Sequence, residues 1–218
     1  MEETLCTVGL KVKAGDKVRY YVEPEATKLQ LNDLVVVKGE HGMEVARVVS
    51  PSKQVSNVLR MRETFPSILH RATKEELRQK TVSEEEALLK CREYVRELGL
   101  LMKPAFASSN IDGSYIVVYF VSPHKVDFRE LAYHINSDLR TRVELRRVGA
   151  REGARLLGGV GRCGLPVCCS SFLNELSPPT TKAVKRAGLN PSKFCGLCGH
   201  ILCCLAYDDL KDNHVSEE

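Results

Sequence analysis

Apolar residues alternate with polar ones from Cys6 to Val12 (Cys6, Val8, Leu10, Val12), and again at Val18, Tyr20 and Val22. A period of two turns one face of an extended chain toward a core, so both segments predict short strands. Further β-rich runs follow at Leu34–Val37 and Met43–Val49. The turn sequences Ala14-Gly15-Asp16, Leu31-Asn32-Asp33 and Gly39-Glu40-His41-Gly42 separate the runs. Strands and turns at this spacing predict a small antiparallel β-barrel over residues 1–60.

The period then changes. Thr73-Lys74-Glu75-Glu76 and Ser83-Glu84-Glu85-Glu86 each set a hydroxyl three positions before a glutamate, the spacing of a capping box. They predict two helices, the second carrying an apolar stripe of Ala87, Leu88, Cys91, Val95 and Leu98 and ending at Gly99. A strand over 103–109, a turn at Asp112-Gly113 and a strongly β run at Tyr115–Val121 come next. A helix capped by Asp127, with Phe128, Leu131, Ile135 and Leu139 on one face, leads to a strand over Arg142–Val148. Val143 and Leu145 alternate there with Arg142, Glu144 and Arg146, so one face is core and the other wet. The order β-β-α-β behind a helix predicts a compact α/β sandwich within residues 61–157.

From Gly158 onward glycine, proline and cysteine replace the periodic pattern, and seven of the nine cysteines fall within residues 163–204. Apart from a helix near Thr181–Ala187, residues 158–207 read as loops with too little apolar material to fold by burial. An acidic tail, 208–218, closes the sequence. The expected class is therefore α+β: an N-terminal barrel, a helical linker, a sandwich and a loop-rich, cysteine-dense segment.

Composition narrows the function. Of 218 residues 43% are hydrophobic and 28% charged, the ordinary range of a globular chain, which excludes a wholly disordered or fibrous protein. No apolar run reaches the length of about 18 residues that a membrane helix needs, and Met1-Glu2-Glu3-Thr4 opens without a basic, apolar leader. The expectation is a cytoplasmic protein with no membrane insertion. In a reducing compartment its cysteines serve as metal ligands, core residues or redox groups rather than as structural disulfides.

The net charge of +4 says little, but its distribution says more. Seven arginines lie within residues 140–162 against Glu144 and Glu152. Such a basic face suits RNA or an acidic protein surface, with Arg142, Arg146, Arg147, Arg151 and Arg162 as the candidate contacts. The plainer alternative is a solvated strand and helix face.

The tail repeats itself. Cys163-Gly164-Leu165-Pro166-Val167-Cys168-Cys169 and Cys198-Gly199-His200-Ile201-Leu202-Cys203-Cys204 both read Cys-Gly-x-x-x-Cys-Cys, 35 residues apart, and Cys195 adds a Cys-x-x-Cys with Cys198. A glycine after the first cysteine lets the chain turn sharply beside the sulfur. Thiolates converging from two turns are what zinc or an iron–sulfur cluster requires. The doubled cysteines complicate this, because adjacent side chains diverge and one of each pair points elsewhere. Cys6 and Cys91 lie on apolar faces and read as core. His200 reads as a surface or hydrogen-bonding residue.

Gly161-Arg162-Cys163-Gly164-Leu165-Pro166-Val167-Cys168-Cys169-Ser170-Ser171-Phe172-Leu173, Leu189-Asn190-Pro191-Ser192-Lys193 and Gly196-Leu197-Cys198-Gly199-His200-Ile201-Leu202-Cys203-Cys204-Leu205-Ala206-Tyr207 resemble the signature of the YaaT/RicT family of bacterial stage-zero sporulation proteins. Val126-Asp127-Phe128-Arg129-Glu130-Leu131 and Glu144-Leu145-Arg146 fit as well, and the resemblance is densest over residues 126–207. It implies a non-enzymatic accessory protein that joins two small helical partner proteins in a complex carrying 4Fe-4S clusters. That complex assists ribonuclease Y in mRNA processing and so influences sporulation, competence and biofilm formation. By position Cys163, Cys168, Cys169, Cys198, Cys203 and Cys204 match the family's cysteines. Cys195 stands where the family pattern has a small residue and is an additional candidate ligand.

Two other classes compete. The sequence has no Walker loop, dinucleotide fingerprint, His-Glu-x-x-His or nucleophile elbow, which leaves a thiol–disulfide oxidoreductase acting through Cys195 and Cys198 as the enzymatic alternative. A zinc-stabilised RNA-binding module, with the arginines on phosphates, is the other.

Overall fold

Five strands form a curled antiparallel sheet, a half-barrel. They are β1 (Leu5–Lys11), β2 (Arg19–Val22), β3 (Leu34–Gly39), β4 (Gly42–Val55) and β5 (Ile68–Arg71), in the spatial order β2-β1-β4-β3-β5. This computed structural model describes residues 5–13, 16–23, 28–55, 65–173, 181–186, 188 and 190–205, so the acidic tail 208–218 lies outside the described residues. The chain divides into two compact units, Met1–Arg147 and Val148–Glu218.

Alternation drives the sheet to curl, because the inward residues Val8, Leu10, Tyr21, Val35, Val37, Ala46, Val48 and Ile68 make one core. The outer strands meet through a single parallel bridge between Val22 and Ser67, supported by the Val22 N–H donating to the Pro66 carbonyl at 2.9 Å. The fifth strand comes from a stretch whose only sequence signal is Ile68-Leu69, too short a run to reveal a period.

The two helices expected between residues 73 and 99 are one, α1 (Lys74–Glu97). Only the first capping box is real. The Thr73 N–H donates to Glu76 Oε2 at 2.8 Å and the Glu76 N–H to Thr73 Oγ1 at 3.2 Å. Ser83 instead lies inside the helix, its hydroxyl donating to the Gln79 carbonyl at 3.0 Å. The helix ends as a Schellman motif: the Leu100 N–H reaches the Val95 carbonyl at 3.0 Å and the Gly99 N–H the Arg96 carbonyl at 3.2 Å.

A second sheet follows, β6 (Lys103–Ser109), β7 (Tyr115–Val121) and β8 (Arg142–Arg147) in the order β6-β7-β8. β7 is antiparallel to β6 and parallel to β8, with α2 (Arg129–Leu139) as the crossover. Ala107, Ile116, Val118, Phe120, Val143 and Leu145 pack on Ala87, Cys91 and Val95 of α1 and on Leu131 and Ile135 of α2. Phe128, not Asp127, is the cap of α2. Asp127 acts from one residue earlier, accepting from the Arg129 N–H at 3.2 Å.

The half-barrel and the sandwich join within the first unit. The Asn110 amide donates to the His41 carbonyl at 3.0 Å, the Ile111 N–H to the Met43 carbonyl at 2.9 Å, and the His41 and Tyr115 rings lie 4.1 Å apart. No helix among the described residues is long and apolar enough to cross a membrane.

The α1 cap gives a pH test. The Thr73 N–H, then His70 and the Thr73 hydroxyl, hold the Glu76 carboxyl down to about 2 from its ordinary 4.5. A depressed carboxylate adds stability above its ordinary value and loses it as pH falls through the folded one. Acid titration of stability should therefore show Glu76→Gln less stable than the parent at pH 6, with the two curves converging near pH 2. Thr73→Ala should cost about 1 kcal/mol in urea unfolding at neutral pH.

Candidate metal centre

The repeated cysteine motif folds the same way twice. In the first hairpin Val160 bridges Pro166, the Gly161 N–H donates to the Leu165 carbonyl at 2.7 Å, Gly164 N–H to Gly161 at 3.0 Å, and Val167 N–H to Gly159 at 3.0 Å. In the second, Cys195 bridges Ile201, Gly196 N–H donates to His200 at 2.8 Å, Gly199 N–H to Gly196 at 2.9 Å, and Leu202 N–H to Phe194 at 3.0 Å. A helical turn begins directly after each, α4 (Cys168–Ser171) after the first and a turn opening at Cys203 after the second.

Left-handed glycines make the hairpins. Gly164 has φ +81 and Gly199 φ +74, a region in which any Cβ is strained. Each glycine follows the cysteine at its hairpin tip, so Cys163 and Cys198 hold equivalent positions. Val160 in the first hairpin occupies the place of Cys195 in the second, which explains why the Cys-x-x-Cys occurs once.

The hairpins also interlock. Arg162 Nη1 donates to the Lys193 carbonyl at 2.5 Å. Its counterpart Leu197 reaches back, with Cδ1 at 3.5 Å from where a Cβ on Gly159 would lie. Each tip therefore touches the base of the other hairpin.

Thiols of the two hairpins influence one another electrostatically. Burial pushes the Cys169 thiol up, with Cys198 and Cys168 adding to the rise and Arg155 opposing it. Burial likewise pushes Cys203 up, opposed by Arg151 and reinforced by Cys169, Cys198 and Cys168. Cys168 and Cys169 come from the first motif and Cys198 and Cys203 from the second. Cys163 is exposed and Cys204 half-buried. The Cys195 thiol turns into the 3₁₀ turn Pro191–Lys193, donating to the Pro191 carbonyl at 3.5 Å. Cys91 is buried in the sandwich core, its thiol pushed up to about 12 by burial, and Cys6 is half-buried. His200 is exposed and faces the Cys198 carbonyl at 3.1 Å.

Among the described residues no three His, Cys, Asp or Glu side chains stand as a ready-made metal-ion site. The donor set nevertheless fits a thiophilic metal in kind: soft sulfurs from two turns, faced by cations. Those cations come from α3 (Ala150–Leu157), where Arg151 and Arg155 are one turn apart. Arg155 carried no separate signal in the sequence beyond its spacing of four from Arg151.

The remaining candidate arginines are engaged locally. Arg142 lies 5.8 Å over the Tyr115 ring, and Arg146 lies 5.9 Å over Tyr119 while pairing with Glu144 at 2.8 Å. Arg147 donates to the Ser122 carbonyl at 3.0 Å, and Arg151 to the Ile201 carbonyl at 3.1 Å.

Residues 66–148, which hold β5 to β8 with α1 and α2, match the PSP1 C-terminal conserved region. Over 210 residues the chain is 35% identical to stage 0 sporulation protein YaaT of Bacillus subtilis, covering 93% of this chain and 74% of the relative, and it belongs to that protein's family. It is also 27% identical over 164 residues to an uncharacterized protein of Schizosaccharomyces pombe, covering 62% of this chain and 22% of that one. No solved structure matches.

The hairpin geometry predicts a local lesion. Gly199→Ala should cost about 1–2 kcal/mol through the left-handed backbone. Limited proteolysis should show faster cleavage within residues 158–205 and unchanged resistance of the first unit.

Proposed function

We propose that this protein is a non-enzymatic adaptor whose paired hairpins hold a cysteine-ligated centre, a 4Fe-4S cluster in the first instance. What supports the reading is the pair of equivalent hairpins that carry the repeated motif, together with the electrostatic influence of Cys168 and Cys198 on Cys169 and on Cys203. Cys168, Cys169, Cys198 and Cys203 would hold the centre, with Cys204, next to Cys203, and Cys163, at the tip of the first hairpin, as the further candidates. When bound, such a centre supplies coordination energy that folds the segment and a dependence on iron or redox state. The chain's own part is to turn the sulfurs inward through Gly164 and Gly199 and to lock the hairpins through Arg162 and Leu197.

The biological side of the reading rests on family membership. The relative named stage 0 sporulation protein YaaT supports a sporulation-related role. Within it, the adaptor joins two small helical partner proteins and assists ribonuclease Y in mRNA processing, which influences competence and biofilm development too. The first unit offers β8 and the half-barrel as docking faces, and the second the cysteine centre.

A second reading, a zinc-stabilised RNA-binding module, draws support from the exposed guanidiniums of Arg142 and Arg146 side by side along β8. Phosphate contacts from such residues weaken steeply with salt.

Iron, sulfide and zinc analysis of anaerobically purified protein separates the readings. A broad absorption near about 400 nm with matching iron and sulfide is expected. Cys198→Ser should lose that band, loosen residues 160–205 to protease and abolish partner binding. Stoichiometric zinc together with salt-sensitive RNA binding would favour the module. Partner binding and protease resistance that survive Cys198→Ser would contradict both.

A further inference from the structure

α3 carries two arginines on the face toward the cysteines. Arg151 and Arg155 are four residues apart, so their side chains leave the helix one above the other. Arg151 Nη2 donates to the Ile201 carbonyl at 3.1 Å, two residues before Cys203. Its Nε is buried and has no hydrogen-bond partner among the described residues, and no carboxylate pairs with it there. A half-buried guanidinium so placed is costly unless negative charge arrives to meet it. The Arg155 Nε, one turn further on, is buried as well, and α3 packs against α4, which opens on Cys168 and Cys169.

A thiolate-held centre supplies that negative charge. Four thiolates carry more charge than a divalent ion or a cluster core cancels, and the net charge around a centre helps set its retention. We infer that Arg151 and Arg155 are the counter-charges of the cysteine centre: positioning residues that offset the charge of a metal–thiolate group, with Arg151 also fixing the hairpin that carries Cys203. Arg151 is thereby reassigned from a candidate RNA contact to a support of the centre. This rests on the cysteine-centre reading above.

The experiment uses the full chain purified without oxygen, as wild type, R151Q, R155Q, R155K and K185Q, the last removing an exposed positive charge elsewhere in the second unit. Iron, sulfide and zinc are quantified, and metal loss to excess EDTA is timed. Circular dichroism checks that each variant is folded. R151Q and R155Q should lose metal about tenfold faster than wild type, as residues around the ligands of a metal commonly do when removed. R155K, which keeps the charge, and K185Q should behave as wild type.

R155Q retaining metal at the wild-type rate, or R155K losing it as fast as R155Q, overturns the inference while leaving the cysteine centre intact. Wild-type protein that contains no iron or zinc and takes up neither overturns the centre itself, and the inference with it. If R151Q does not fold, the comparison of R155Q with R155K decides.

Discussion

Among the described residues after Arg147, only Val148, Cys169 and Val184 are buried apolar side chains. The first unit, by contrast, has two continuous clusters built on the strands and on α1 and α2. Burial of apolar surface is the main favourable term in folding, so a segment with so little of it depends on another source of order. The interlocked hairpins supply part through backbone hydrogen bonds, each worth about 1 kcal/mol net. On the reading proposed above, coordination by sulfurs of both motifs supplies the rest. In that reading the glycine turns, the Arg162 and Leu197 contacts and the α3 arginines are parts of one arrangement.

The first unit obeys ordinary packing rules. Alternation on β7 sends Ile116, Val118 and Phe120 to the helices and Tyr115, Val117 and Tyr119 to the opposite face, where all three are still buried. That second face is amphipathic at its margin: Lys13 donates to the Tyr119 hydroxyl at 2.5 Å, and Tyr115 bonds Glu144. The Glu144 carboxyl is held low by Tyr115 and Arg146, so Glu144 sits charged between two arginines of β8. The basic character of 140–162 seen in the sequence is thus divided between β8 of the first unit and α3 of the second.

Much of this was legible because period determines face. The strands, the crossover helix and the core role of Cys91 follow from alternation or helical spacing. Thr73 and Ser83 present the same spacing to a glutamate, and only position in the helix distinguishes a cap from an interior hydroxyl bonding Gln79, so spacing alone predicts two helices where α1 is one. β5 carries no periodic signal in the sequence, because two apolar residues define no period. For the site, the duplicated motif announced two similar turns, whereas which sulfurs converge depends on how the hairpins pack. Cys163 and Cys198 are equivalent in sequence and in local fold, yet Cys163 is exposed and Cys198 half-buried. Arg155 belongs to the same class of information, since the face of α3 on which it lies is set by packing and not by its neighbours in sequence.

The most direct test of coordination as the force that orders the second unit is hydrogen exchange of the full chain, before and after metal is stripped by a chelator under anaerobic conditions. Stripping should abolish protection across residues 158–205 and leave β1–β8, α1 and α2 unchanged. Equal protection of residues 158–205 in both samples would contradict the account.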